Sequence, residues 1–167
     1  MKKLIIAVFV IGFMWCGLTG AEADNDIEDI TQHPNITLLN GQGKKIQLND
    51  AIKGEVSVVN FTTTWCLDCK RLASDLKEII PRYSGKNVRF INVYLGVKQT
   101  IVGKLINYNK RFPGAKLLLD PDRGGSQQMG VSGMPHVVIF NASGEMKYER
   151  RSPSASELRS AIEKVIK

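Results

Sequence analysis

The sequence predicts an α/β fold in which a mixed central β-sheet is flanked by helices. Through the middle of the chain, short apolar runs alternate with longer segments in which apolar residues recur every three or four positions. This alternation is typical of parallel β–α–β units. The last third has two strand-like runs joined by a tight turn, which adds antiparallel strands. With 167 residues, the chain is long enough for one domain and short for two.

The charge distribution excludes one class of function. The chain is basic, with a formal net charge of +7. Its Lys and Arg residues are scattered, and aromatic residues are not interleaved with them, so we expect a solvated surface and no nucleic-acid binding. An acidic partner or an anionic membrane surface remains open. We expect a monomer.

The first residues have the pattern of an export signal. Lys2 and Lys3 precede an apolar run over residues 4–18. Ala21 and Ala23 then provide small residues at the two positions that a signal peptidase recognises before a cleavage site after Ala23. We therefore predict a signal peptide at 1–23 and a periplasmic or otherwise extracytoplasmic mature protein. The alternative is an uncleaved anchor, although the apolar run is shorter than the roughly 20 residues that a spanning helix needs.

The remaining chain divides into a lead-in and a domain. Residues 24–33 are polar and acidic, which predicts a flexible lead-in, and the folded domain is expected at 34–167. Cys16 follows the bulky Trp15, which disfavours lipidation, so we assign it to the removed segment. The mature chain then has two cysteines, in a compartment where disulfides persist.

The N-terminal half of the domain is expected to contain a β-hairpin and a central strand. Residues 36–39 and 46–48 are strand-like, and Asn and Gly residues at 40–43 predict the turn between them. A short helical turn is expected at 51–54. The strand at 55–61 is mainly apolar on both faces, which predicts a position inside the sheet.

After the central strand, the sequence predicts helices and strands in alternation, followed by a β-hairpin and a C-terminal helix. Apolar residues at helical spacing begin at Cys69 and stop near Pro81 or Gly85. The next segments are predicted to be a strand at 88–94, a helix at 101–108, a strand at 117–119, a loop at 120–125, a strand at 137–140, a turn at 141–144 and a strand at 146–150. Ser154 and Glu157 form a capping-box pattern ahead of a C-terminal helix.

The Cys66-Leu67-Asp68-Cys69 segment carries the predicted chemistry. The central strand leads into this Cys-x-x-Cys at a helix N-terminus, where backbone N–H groups and the helix dipole favour an anion. Thiol–disulfide exchange requires one thiolate to attack and a second thiol to break the mixed disulfide. We assign attack to Cys66 and resolution to Cys69.

Two charged neighbours are expected to tune these thiols. Asp68 places a carboxylate between the cysteines, where it disfavours a thiolate at Cys66, and Lys70 acts in the opposite direction. We expect Asp68 to prevail because it lies within the pair. A less stable thiolate makes the disulfide harder to reduce, so the protein is predicted to act as a reductant.

Three other uses of the cysteines fit the sequence less well. A structural zinc site needs four ligands, but the mature chain offers two cysteines and the distant His33 and His136. A static disulfide would close too small a loop to constrain the unfolded chain strongly. Thr63-x-x-Cys66 is similar to the peroxidatic cysteine of peroxiredoxins, but those proteins have a proline where this chain has Val59 and lack the preceding Trp. We expect no metal, and no cofactor beyond a redox-active Cys66–Cys69 disulfide.

Three further blocks of the sequence have a recognisable pattern: Asn60-Phe61 with Thr64-Trp65-Cys66-x-x-Cys69, the run Leu118-Leu119-Asp120-Pro121-Asp122, and Gly130-Val131-x-Gly133-x-Pro135. Together these blocks resemble the thioredoxin superfamily, specifically the exported TlpA/ResA-like thiol–disulfide oxidoreductases. The resemblance covers nearly all of 36–166. It implies a thioredoxin-like fold with an N-terminal β-hairpin, and an inserted βα unit in the long gap between Cys69 and Pro135.

The resemblance also assigns roles around the cysteines. It implies a cis Met134–Pro135 bond facing the thiols, with the Met134 backbone binding substrate, Pro135 limiting metal access and Trp65 shaping the site. Asn60 agrees with this group, whereas thioredoxin has a buried Asp there that accepts a proton. The chain therefore lacks an obvious carboxylate base, and we expect water or His136 to take the proton from Cys69.

Other positions depart from the family pattern: Thr62 replaces a Trp, Leu67-Asp68 replaces the commoner x-Pro, Leu72 replaces a Glu, and Ser74 replaces a Pro. The resemblance implies protein thiols and disulfides as substrates, apocytochrome c among them, and a membrane thiol reductant as electron donor. The alternative from a different class is a redox-inactive binding module or chaperone with a resting disulfide.

Overall fold

A computed structural model of the chain describes residues 33–167. The predicted signal peptide, Cys16 and all of the lead-in except His33 lie outside these residues. The strands are β1 (Thr37–Leu39), β2 (Lys45–Gln47), β3 (Val56–Thr62), β4 (Val88–Leu95), β5 (Lys116–Asp120), β6 (His136–Phe140) and β7 (Met146–Arg151). The α-helices are α1 (Leu48–Ile52), α2 (Leu67–Ile79), α3 (Val102–Asn109), α4 (Gly124–Gln128) and α5 (Ala155–Ile166), with 3-10 turns at Ile80–Tyr83 and Gln99–Ile101.

The strands of the described chain form one mixed sheet in the order β2-β1-β5-β4-β3-β6-β7. The three inner strands β3, β4 and β5 run parallel. Strand β1 of the β1–β2 hairpin pairs antiparallel with β5. On the other side of the sheet, β6 pairs antiparallel with β3 and β7 pairs antiparallel with β6. The α/β class, the N-terminal hairpin and the inserted unit, here α3 and β5, are confirmed.

The central strand β3 has helices on both sides, as its two apolar faces predict. Val59 and Phe61 pack in a core cluster with Leu48 and Ile52 of α1. Val56 and Val58 pack on the other face, in a cluster with residues of α2 and α5. Because β3 is buried along its whole length, it fixes where the segment carrying the cysteines emerges from the sheet.

The capping box before α5 is confirmed. The Ser154 hydroxyl accepts a hydrogen bond from the Glu157 backbone N–H at 3.3 Å, and the Glu157 carboxylate accepts from the Ser154 N–H at 2.8 Å. In residues 33–167, no helix is both long enough and apolar enough to cross a membrane.

Three element predictions needed correction. The strand-like run was expected to continue to Leu48 and the helical turn to begin at Ala51, but α1 begins at Leu48. The helix predicted from Cys69 begins at Leu67. The expected loop at 120–125 runs into helix α4, because the buried Asp120 carboxylate accepts hydrogen bonds from the N–H groups of Gly125 and Ser126.

Candidate active site

Cys66 is the N-cap residue of α2. Its backbone is extended, and its Sγ accepts a hydrogen bond from the Cys69 backbone N–H at 3.1 Å. The turn after β3 therefore points the sulfur at the unpaired N–H groups of the helix, where the helix dipole favours negative charge. The structure holds both cysteines as free thiols. The Cys66 sulfur is thus placed at the start of a helix, with a backbone N–H donating to it.

Cys69 lies in the first turn of α2, three residues after Cys66, and is only 2% exposed. Burial raises the pKa of the Cys69 thiol, and the hydrogen bond with the Cys66 side chain acts in the same direction. Contacts with Thr63 and Thr62 partly oppose this shift. Cys69 therefore remains protonated at neutral pH, and it becomes a nucleophile when its proton is removed.

The loop before β6 faces the N-terminus of α2. The Met134–Pro135 bond is cis, and the Cys66 thiol donates to the Met134 carbonyl oxygen at 3.5 Å. Gly133 leaves room for a neighbouring side chain, because a Cβ at this position would lie 2.7 Å from the Arg151 Nε. The structure thus brings Met134 to Cys66, as the resemblance implied.

The rim around Cys66 is apolar. The Trp65 side chain is 72% exposed and Leu67 is 80% exposed. Large apolar side chains with this exposure, flanking a reactive group, are typical of a surface that binds another molecule. A partner docking here would bury them as it approaches Cys66.

Asp68 has a partner that the sequence did not reveal. Its carboxylate lies 3.3 Å from the Arg71 guanidinium, one helical turn on. Both side chains are substantially exposed, so this ion pair is screened by solvent. The pair places a positive charge beside Asp68, which acts against its repulsion of a thiolate.

Asn60 begins a buried chain of amide side chains. Its Nδ2 donates to Asn92 Oδ1 at 3.0 Å, and Asn92 Nδ2 donates to Asn109 Oδ1 at 2.9 Å. The Asn60 Oδ1 is buried without a hydrogen-bond partner. Sequence reasoning missed this network, although the register of β3 and β4, which pairs residues 60 and 92, could have indicated it once the strands were aligned.

His136 does not lie beside Cys69. It alternates along β6 with Val138 and Phe140, which pack on the α1 face, whereas α2 covers the opposite face. Its Nε2 lies 2.7 Å from a Glu149 carboxylate oxygen. The suggestion that His136 accepts the proton of Cys69 is therefore wrong, because strand alternation turns the imidazole away.

Comparison with known proteins agrees with this geometry. Residues 31–149 match the model of the AhpC/TSA family. The thiol-disulfide oxidoreductase ResA of Bacillus subtilis is 26% identical over 144 residues, covering 86% of this chain and 78% of ResA. The thiol:disulfide interchange protein CycY of Rhizobium leguminosarum is 30% identical over 112 residues, covering 64% of this chain and 55% of CycY, so the match spans about half of that protein.

A solved structure shows the same fold. The thiol:disulfide interchange protein of the thioredoxin family from Chlorobium tepidum superimposes with a TM-score of 0.65 at 17% identity, covering 82% of this chain and 97% of that chain. The predicted thioredoxin-like architecture is thereby confirmed. The protein belongs to the AhpC/TSA family and has a thioredoxin-like fold.

Proposed function

We propose that this protein exchanges disulfides with other proteins outside the cytoplasm, through Cys66 and Cys69. The chain is a thioredoxin-like thiol–disulfide oxidoreductase. One observation carries the proposal: an accessible sulfur caps a helix N-terminus and contacts the Met134 carbonyl, with a buried thiol one turn away. This arrangement separates the attacking group from the resolving group.

The reaction follows from the two environments. The Cys66 thiolate attacks a substrate disulfide, a mixed disulfide forms, and the first substrate sulfur leaves and takes up a proton. Cys69 then loses its proton and attacks the Cys66 sulfur. The second substrate thiol leaves as the Cys66–Cys69 disulfide forms. Two electrons pass from the protein to the substrate, and an external thiol reductant restores the dithiol.

The setting and pathway are also part of the proposal. The predicted signal peptide supports an extracytoplasmic location. The relatives ResA and CycY carry names that describe thiol–disulfide oxidation, reduction or interchange. We extend this to reduction of apocytochrome c before haem attachment, with electrons from a membrane thiol reductant and the protein acting as a monomer. The cis-Pro loop would bind the substrate backbone at Met134.

The test of the proposed function is a turnover assay combined with a redox titration. The reduced full chain is expected to reduce insulin disulfides, and its cysteine pair is expected to titrate as one two-electron couple against a thiol–disulfide buffer. A dithiol that neither exchanges nor titrates would support the alternative, a thioredoxin-like binding module or chaperone with a resting disulfide.

Asp68→Asn is expected to raise the reduction potential of the cysteine pair. Removing the carboxylate stabilises a thiolate at Cys66 and hence the reduced form. An exposed charge near a helix N-terminus contributes about 0.5–1 kcal/mol, which corresponds to on the order of 10–20 mV for this couple. The matched control is Asp75→Asn, two turns further along α2, which is expected to leave the potential unchanged. An unchanged or lower potential in Asp68→Asn would remove the argument.

A further inference from the structure

A narrow groove begins beside the active site and runs between α2 and the end of α3. It has a volume of about 290 Å³. The side chains that line it include Thr64, Lys70, Ser74, Lys77, Tyr108 and Arg111. Thr64 lies two residues before Cys66, and two residues span at most about 7 Å. The groove is therefore within a few residues' reach of any chain whose sulfur is bonded to Cys66.

The groove is cationic because α2 lines it with two lysines and with none of its acidic residues. Lys70 and Lys77 are seven residues apart, which places them on the same side of the helix. Asp68 and Asp75 are also seven apart, but they lie on a different side. Asp68 pairs with Arg71 instead of with a groove lysine. Among the residues that the structure describes, no carboxylate lines the groove.

The facing wall adds positive charge. The Arg111 guanidinium lies over the Tyr108 ring, 4.9 Å from its centroid, which holds the cation at the mouth of the groove. Within residues 33–167, the ion pairs do not include Lys70, Lys77 or Arg111. These three charges are available to a partner.

The segment that contains α3 also has an excess of positive charge. Residues 79–119 contain eight Lys and Arg residues and no Asp or Glu. Along the chain these basic residues are scattered, which is typical of a solvated surface. Folding places Arg111 against the cationic side of α2, so the concentration of charge arises in the tertiary structure.

We propose that this groove binds an acidic segment of the partner protein while the partner's cysteine is bonded to Cys66. The inference rests on the proposed function and specifies its substrate class. Lys70 and Lys77 are separated by about 10 Å along the helix axis, which matches about three residues of an extended peptide. Carboxylates about two to six residues from the reacting cysteine would meet these cations.

A lipid surface is a poorer occupant of the same groove. Because the groove starts beside Cys66, a bilayer seated on it would cover the thiol that has to react. The groove is also concave and narrow, which suits a single peptide strand. Opposite charges on a partner would speed encounter and fix the register of its cysteine.

The test uses disulfide-linked model peptides that differ only in three residues flanking the cysteine, either Glu or Gln. The reduced full chain is expected to reduce the Glu peptide about five- to tenfold faster at low salt, and this ratio is expected to fall towards one at high salt. In the double variant Lys77→Gln/Arg111→Gln the Glu-to-Gln rate ratio is expected to fall towards one even at low salt. The control Lys53→Gln/Lys164→Gln removes the same charge from exposed positions outside the groove and is expected to keep the ratio.

A second readout separates this proposal from the proposed function. Fluorescence anisotropy of a Glu peptide in which serine replaces cysteine measures docking without exchange. Loss of peptide binding in the Lys77→Gln/Arg111→Gln variant, with binding kept in the control variant, supports the groove proposal whether or not the peptides are reduced. A complete lack of peptide reduction would refute the exchange activity and leave this result for the groove unaffected. Equal rates and equal binding for the Glu and Gln peptides would overturn the proposal. Salt-sensitive binding to anionic phosphatidylglycerol vesicles that requires Lys77 and Arg111, without a peptide preference, would also overturn it.

Discussion

Cys66→Ser is expected to abolish disulfide reduction, and Cys69→Ser is expected to stop the reaction at the mixed disulfide. Serine at position 66 cannot form the thiolate that the N-terminus of α2 stabilises, so turnover should fall by at least about a thousandfold. Serine at position 69 leaves the attacking sulfur in place but removes the thiol that breaks the mixed disulfide. Insulin reduction measures the first effect, and mass spectrometry under non-reducing conditions measures the second.

The two variants control for each other because both lose one thiol near the same helix end. The mixed disulfide is expected at Cys66 in Cys69→Ser, since Cys66 is accessible and Cys69 is buried. A stable mixed disulfide at Cys69 in Cys66→Ser, formed as fast as the other, would contradict the assignment of roles. Applied to an extract of exported proteins, Cys69→Ser would also capture the client, whose flanking residues the groove predicts to be acidic.

Asn109→Ala is expected to destabilise the protein by about 2–4 kcal/mol, because a buried donor or acceptor left unpaired costs about 1–3 kcal/mol. The Asn109 Oδ1 accepts from Asn92 and from the Tyr94 hydroxyl, and its Nδ2 donates to the Ala115 carbonyl at 2.9 Å. Alanine leaves all three partners without this amide. Urea unfolding of the reduced protein measures the loss.

The same helix provides the control. Asn107 is exposed on α3, so Asn107→Ala should change stability by less than about 0.5 kcal/mol. Both substitutions remove the same amide from the same helix, which cancels the difference in helix propensity between Asn and Ala. Similar losses in the two variants would show that the buried network contributes little.

The elements with strong periodicity were predicted well. The strand around Val58, the helix after the cysteines and the capped C-terminal helix each have a pattern that depends on neighbouring residues alone. The short helices α1 and α4 were predicted poorly. Helix α4 has five residues and no apolar stripe, and it depends on the Asp120 carboxylate accepting its first N–H groups. Helix α1 begins at Leu48, three residues before the predicted helical turn.

The sequence by itself determined the chemistry of the site, because the spacing of Cys66 and Cys69 and their position between a strand and a helix are local properties. Tertiary structure alone decided what surrounds them. The register of β3 and β4 joined Asn60 to Asn92, which are 32 residues apart, and strand alternation turned His136 away. The packing of α2 beside α3 gathered scattered basic residues into one groove. These contacts depend on how distant segments align, and no local pattern specifies that alignment.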